Sequence, residues 1–408
     1  MNESKNLRAL FLTSFFFIAI SFLLYETNWK ILQYWGIAGG DRFIDLGSVL
    51  SSADCFANIG FKIYDYPIGH PCAYNYGSFL MQTLNFLHLG SGSKAVTGIF
   101  FIFAICAIFS ITASITGKKN LFDYLYLSLL LFSPPILLLM ERGNLDSLIL
   151  ILTFLISILA SSNTNTLAIL ISFVAALYKF YPLVLLPLLM LDVKKWQLRL
   201  LYAGLTLLVV VQIFYDVQRG PGFINTFYAS FGAPIFGIYL TYVGVSLSYM
   251  GCVILGWIIF AIATIIMHFV NLRFGSLNQT EKAILFKHST NENFFLIFIS
   301  LHIFCFLLGM NFDYRLIFLV IANLFLVYGS NLNNRDKRIL KMILFMTLWL
   351  SYNQNVYIQP IGDILLLFLS SYNFLVLMKL VLPKLTSFGL VTKTFYGLRY
   401  LIGAFIRK

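Results

Sequence analysis

Charge is what this 408-residue chain has least of: 28 basic and 16 acidic residues make up 11% of it, against about 25% in a soluble domain. A water-soluble globule of this size cannot cover its surface with so few charges. Cysteine is scarce too. The five cysteines form no CxxC pair and no Cys/His cluster, which argues against a zinc site and a disulfide scaffold, and no metal is expected. Walker A, GxGxxG and nucleophile-elbow patterns are also missing, which argues against ATP-driven transport and nucleotide-cofactor chemistry. What is abundant is apolar: 60% of residues are hydrophobic, 17% aromatic, and the mean hydropathy is +0.86. A formal charge of +12 would point a soluble protein toward nucleic acid. Here it reads as Lys and Arg gathered at the cytoplasmic ends of membrane helices, with no nucleic-acid partner.

Long apolar runs in a bilayer must be helices, because only a helix or closed barrel satisfies its own backbone groups there. The first run, Ala9 to Tyr25, follows Lys5 and Arg8 and reads as an uncleaved helix starting in the cytoplasm. A polar segment from Glu26 to about Gly92 then lies outside. Further spans are expected at about 95–116, 121–140 and 145–160. Residues 166–191 read as two short helices meeting at an outer break at Lys179-Phe180-Tyr181-Pro182, where proline removes a donor and disfavours helix before it. Later spans are expected at about 199–217, 250–271, 294–310, 315–329, 341–357 and 361–381, with Phe79–Leu89 and Ile235–Tyr249 as re-entrant or interfacial pieces. The sequence therefore predicts one all-α, polytopic membrane domain over residues 1–408, with about 11–13 transmembrane helices and both termini cytoplasmic.

On this topology the unusual polar residues fall outside: Asp41, Asp45 and Asp54 in the first loop, Glu141-Arg142-Gly143-Asn144, Lys179, Arg219, Asp313-Tyr314-Arg315 and Gln359. Charge within a membrane is costly unless paired or functional, so this convergence is the main functional signal. In the first loop Phe43, Leu46, Leu50, Ala53 and Ala57 recur at three- and four-residue spacing, predicting an amphipathic interfacial helix from Asp41 to about Gly60, with Asp41 at its N-cap. Asp54 lies nine residues from Asp45, about half a turn away around the helix, so a two-carboxylate hydrolase pair is disfavoured. A single carboxylate acting as base is left open beside a cap or solvated charge.

Lys179 reads either as a snorkelling lysine or as a phosphate ligand at a broken helix. Arg315 reads as a phosphate ligand or as the partner of Asp313, Arg142 as a pair with Glu141 or a substrate contact, and Asn144 as a helix cap or a sugar contact. His302, inside a span, reads as a helix–helix hydrogen bond before an acid–base group. Cys55 and Cys72 share the outer loop and are either a disulfide or two free thiols.

These residues resemble the integral-membrane GT-C glycosyltransferases, in particular the family 87 group that uses polyprenyl-phosphate sugars. The likeness rests on Asp45-Leu46 followed by Gly60, Tyr64-Asp65 with Pro67, and Tyr74-Asn75-Tyr76 in the first outer loop. It extends to Arg142-Gly143-Asn144 opening a membrane helix and to Lys179-Phe180-Tyr181-Pro182, with Asp313-Tyr314-Arg315 a further correspondence. The family's proline after the loop tyrosine is Gly77 here. The resemblance implies a GT-C-like bundle in a bacterial cytoplasmic membrane, with its site on the extracytoplasmic face.

By that resemblance the activity is inverting transfer of mannose or another hexose or pentose from a polyprenyl-phosphate donor to a glycolipid or surface polysaccharide. Asp45 would be the general base, with Asp54 as fallback. Lys179 and Arg315 would bind the donor phosphate, and Arg142, Asn144, Tyr64 and His302 the substrates. No cofactor is implied. The rival reading is a lipid-linked-saccharide flippase or secondary transporter; an O-antigen ligase or polymerase would carry its large loop late in the chain.

Overall fold

The computed structural model describes residues 3–27, 42–66, 70, 72, 77–116, 120–162, 164–219, 230–242, 244–274, 285–286, 288–308, 311–312, 315–351 and 358–386. Asp41, Pro67, Tyr74-Asn75-Tyr76, the Lys118-Lys119 turn, Asp313-Tyr314 and residues 387–408 lie outside them. The described chain is helical apart from small bridges, the larger being a two-residue antiparallel ladder of β1 (Ser230–Phe231) with β2 (Asn311–Phe312).

In chain order the helices are α1 (Glu3–Glu26), α2 (Ile44–Ile59), α3 (Ser78–Phe86), α4 (Lys94–Ile115), α5 (Leu121–Leu131), α6 (Pro134–Arg142), α7 (Asp146–Ser161) and α8 (Asn165–Tyr178). After a 3-10 turn at Tyr181–Val184 come α9 (Leu185–Met190), α10 (Trp196–Arg219), α11 (Ile235–Tyr242), α12 (Tyr249–Phe274), α13 (Ser289–Leu308), α14 (Leu316–Gly329), α15 (Asn334–Leu350) and α16 (Gln359–Thr386). Five helical stretches are long and apolar enough to cross a bilayer: Ser91–Ile115, Trp196–Tyr215, Tyr249–Val270, Ser289–Leu308 and Gln359–Leu385. The pair α5 and α6 makes a sixth if counted as one span, and several shorter apolar helices accompany them. This is compatible with a multi-pass helical membrane bundle.

Two spans depart from the sequence reading. The stretch 121–140 is not one straight helix: α5 and α6 bend by 52° at Phe132-Ser133, because Pro134 and Pro135 open α6 and cannot continue the donor pattern of α5. Helix α15 begins well before the expected apolar run. The Asn333 side chain accepts from Asp336 N at 2.8 Å, and this cap draws a charged segment, read as loop, into the first turns.

Beside the apolar packing of the bundle, polar contacts join its helices, as such side chains do where helices pack closely. His302 Nε2 lies 2.9 Å from Ser370 Oγ, linking α13 to α16, and Asn373 Nδ2 donates to Asn323 Oδ1 at 3.4 Å, linking α16 to α14. At another end, Lys341 donates to Asp123 at 2.5 Å and Tyr328 to the same oxygen at 3.0 Å, tying α5, α14 and α15.

The first loop is folded. Helix α2, the 3-10 turn Gly60–Asp65 and α3 enclose a small core of Val49, Ala53, Ile63, Tyr64, Leu80, Met81 and Leu145. The expected helix is present but shorter, from Ile44 rather than Asp41, with Phe43 in the left-handed region at φ 52°. Its buried stripe takes Val49 in place of Ala57, which is exposed. A disulfide joins Cys55 to Cys72, with Cα atoms 5.6 Å apart, and clips the end of α2 to the following segment.

The loop is also fastened to the bundle. A Cβ at Gly77 would stand 2.0 Å from the Leu177 carbonyl oxygen, so the proline expected from the family pattern does not fit where this chain approaches α8. Beside that contact Gln212 Nε2 donates to Ser78 Oγ at 3.1 Å, and Phe79 stacks on Tyr178 with ring centroids 5.7 Å apart.

Candidate functional site

Phe43 sets the position of α2. Its N–H donates to the Glu141 carbonyl at 3.0 Å, and its ring fills the space beside Gly98 and Gly143, where a Cβ would come within 2.4 and 2.9 Å of it. Gly143 ends α6 in the left-handed region at φ 59°, a conformation cheap only for glycine. The turn Arg142-Gly143-Asn144 is thereby pressed against the first turn of α2, which carries Asp45.

The side chains that meet there form one continuous network. Asp45 Oδ1 accepts from Arg142 Nε at 2.8 Å and lies 2.8 Å from a second guanidinium nitrogen. Asp45 Oδ2 accepts from Asn144 Nδ2 at 2.6 Å. The amide of Asn144 cannot turn without losing this bond, so its oxygen faces the other way, accepting from Lys179 Nζ at 3.2 Å and from Asp146 N at 3.0 Å. Lys179 also donates to Asp146 Oδ1 at 2.8 Å. The Tyr181 hydroxyl donates to that same oxygen, while Arg315 Nε donates to Asp146 Oδ2 at 3.1 Å. Arg315 in turn lies over the Tyr181 ring, 5.1 Å from its centroid.

Local sequence explains each placement. Leu145 points into the loop core while its neighbours Asn144 and Asp146 enter the network. Lys179 stands where α8 ends and the backbone turns extended, ahead of Pro182, so the break in the apolar run presents its ammonium to the head of α7. Arg315 stands immediately before α14, and β2 precedes it by three residues.

Burial grades along the network. Side-chain exposure is 35% for Arg142 and 19% for Asp45, 15% for Arg315, 3% for Lys179 and nil for Asp146. Asp45 and Arg142 are therefore the accessible edge and Asp146 is the foundation. Removing charges from water costs several kcal/mol per ion unless geometry and hydrogen bonds compensate; Asp146 meets that condition with two cations and a hydroxyl. Among the described residues three cations, Arg142, Lys179 and Arg315, line this network with the two carboxylates, and guanidinium groups at its accessible side suit contact with an anion. The accessible carboxylate suits a hydroxyl proton.

Of the residues expected from sequence, Asp45, Arg142, Asn144, Lys179 and Arg315 are brought together. Arg142 pairs with Asp45 and not with Glu141, because α2 docks against its turn; Arg315 pairs with Asp146, and Asp313 lies outside the described residues. The N-cap position of α7 is Leu145, not Asn144; the Asn144 oxygen instead accepts from Asp146 N in the turn just before it. Asp54 is engaged elsewhere: exposed on α2, it accepts from Ser91 N at 3.0 Å and anchors the start of α4. Tyr64 is buried in the loop core, and His302 makes the helix–helix bond to Ser370.

Asp146 and Tyr181 were missed. The signal for Asp146 was available: an acidic residue opening an apolar span, two positions after Asn144, requires a cationic partner nearby. Tyr181 lies within the Lys179–Pro182 motif, and only the fold shows that its hydroxyl reaches Asp146. Among the described residues no group of three or more His, Cys, Asp or Glu side chains is placed to hold a metal ion. The chain matches no family model, no curated protein and no solved structure.

Proposed function

We propose that this protein is a membrane glycosyltransferase that moves a sugar from a polyprenyl-phosphate donor to a hydroxyl of a glycolipid or surface glycan, on the extracytoplasmic side. The observation that carries the reading is the single network linking Asp45 to three cations across α2, the end of α6, α7, the α8–α9 break and the head of α14. Asp45 takes the proton of the acceptor hydroxyl, the role for which an accessible, oriented carboxylate is suited. The departing polyprenyl phosphate gains negative charge as the glycosidic bond breaks, and preorganised cations stabilise such charge.

Burial divides the work among those cations. Arg315 and Arg142, the more exposed pair, make the phosphate contacts. Lys179, enclosed behind Asn144 and Asp146, supplies positive potential and fixes the Asn144 amide that aims Asp45. The loop disulfide supports an oxidising, extracytoplasmic location for the Asp45 end.

The test separates transfer from transport. Purified protein in detergent, with no membrane barrier, is given a polyprenyl-phosphate sugar and an acceptor glycolipid. The expected result is release of polyprenyl phosphate matched by glycosylated acceptor. Donor left intact in detergent, together with movement of the same lipid across sealed vesicles containing the protein, would establish the flippase reading instead.

A further inference from the structure

Helix α16 carries a second polar feature outside the Asp45 network. Gln359 and Asp363 stand four residues apart, neighbours on one helix face, and are only 2% and 1% exposed. Tyr239 of α11, half buried, donates its hydroxyl to Asp363 Oδ2. The remaining polar atoms, Asp363 Oδ1 and Gln359 Nε2, are fully buried and have no hydrogen-bond partner among the described residues. Their spacing would permit a bond to each other, yet they do not make one. A buried acceptor and a buried donor left open four residues apart on one helix each carry a desolvation cost of about 1–3 kcal/mol, which a fold keeps when something else completes them.

The chemistry of the pair limits what that is. An anion meets a carboxyl group at Asp363, not the cationic group that would hold it. A divalent cation finds one carboxylate where several oxygens are needed, with an amide N–H beside it. A hydroxyl group donates and accepts at once, so neighbouring hydroxyls can donate a hydrogen bond to Asp363 Oδ1 and accept one from Gln359 Nε2. A site built from such groups discriminates strongly against analogues lacking the hydroxyl, because its own buried polar atoms are then left unpaired. Tyr239, half buried, adds an aromatic ring beside Asp363.

We propose that Gln359, Asp363 and Tyr239 form a saccharide-binding subsite that takes a neutral polyhydroxylated ring, separate from the Asp45 network. It stands on different residues and different helices, so it holds whether or not sugar transfer takes place at Asp45.

The experiment is saturation-transfer-difference NMR on the full-length protein in detergent micelles, with methyl α-glucopyranoside, methyl α-mannopyranoside and methyl α-arabinofuranoside as probes. Wild-type protein is expected to bind at least one of them. Asp363→Asn, which replaces the open acceptor by a donor, and Gln359→Leu, which removes the open donor, are each expected to weaken that binding about tenfold. The thermal midpoint of Gln359→Leu should hold or rise, since it deletes an unpaired buried group. Should Asp363→Asn fail to fold, Gln359→Leu decides alone. Asp192→Asn, at the other end of α16 where Asp192 meets Lys384, is the control and should bind like wild type; Asp45→Asn is measured beside it to report any binding at the Asp45 network separately. Wild-type affinity in Gln359→Leu, binding lost only in Asp45→Asn, or no binding of any probe by wild type would each overturn the proposal.

Discussion

Replacing Asp45 with asparagine is expected to lower kcat for polyprenyl-phosphate release by at least about a hundredfold, the scale of a lost general base. The amide keeps the size of the carboxylate and an oxygen for Arg142, so α2 stays docked through Phe43 and the loop core. What it lacks is a basic oxygen facing the acceptor. It also sets an N–H against Asn144 Nδ2, which now donates to Asp45 at 2.6 Å. On the proposed reading the donor KM should change less than kcat, since Arg315 keeps Asp146 as its partner and Arg142 keeps an oxygen at position 45. Asp45→Glu keeps the base one methylene out of place and should fall between the two. Steady-state kinetics with varied donor checks this, and full turnover by Asp45→Asn would remove the residue from the base role.

Asp146→Ala is expected to be the most damaging single substitution to stability. It leaves Lys179 and Arg315 without the carboxylate they share and Tyr181 without its acceptor. Breaking a buried ion pair by removing one partner costs about 3–5 kcal/mol, because the orphaned charge stays out of water. Lys179 is enclosed, and the Asn144 oxygen that it also meets carries no charge to replace the carboxylate. Thermal denaturation of the purified protein in detergent should show a clear drop in midpoint. Adding Lys179→Met to Asp146→Ala should recover part of it by removing one of the uncompensated cations. An unchanged midpoint in Asp146→Ala would mean that the buried cluster contributes little to the fold.

Much of the architecture was legible because apolar periodicity and backbone satisfaction leave few choices. The spans at 145–160 and 315–329 were placed within about a residue at each end, and Pro182 marked the break that exposes Lys179. Proline 134 and proline 135 carried equally readable information about the bend in 121–140, which the unbroken hydrophobicity of the run obscured. The start of α15 was misplaced because its cap, Asn333, precedes a charged segment with no apolar face.

The site was half legible. Motif order pointed to Asp45, Asn144, Lys179 and Arg315 individually, but pairing is a tertiary property. Nothing in the spacing says that Arg142 turns from Glu141 to Asp45, 97 residues away in the chain. Asp146 escaped because an acid at the head of an apolar helix reads first as a cap, and its burial depends on three segments converging upon it. Gly77 shows the opposite case. It departs from the proline of the resembling family, and the Leu177 carbonyl leaves no room there for a side chain.

The central claim, that Asp45 and the cations work as one unit, is tested most directly by a double-mutant cycle on the rate of polyprenyl-phosphate release, using Asp45→Asn, Arg315→Gln and the two combined. Residues of one catalytic unit are strongly non-additive, whereas separated sites combine independently. The expected result is a double variant no slower than about the slower single one. A double variant whose loss is the product of the two single losses would contradict the account.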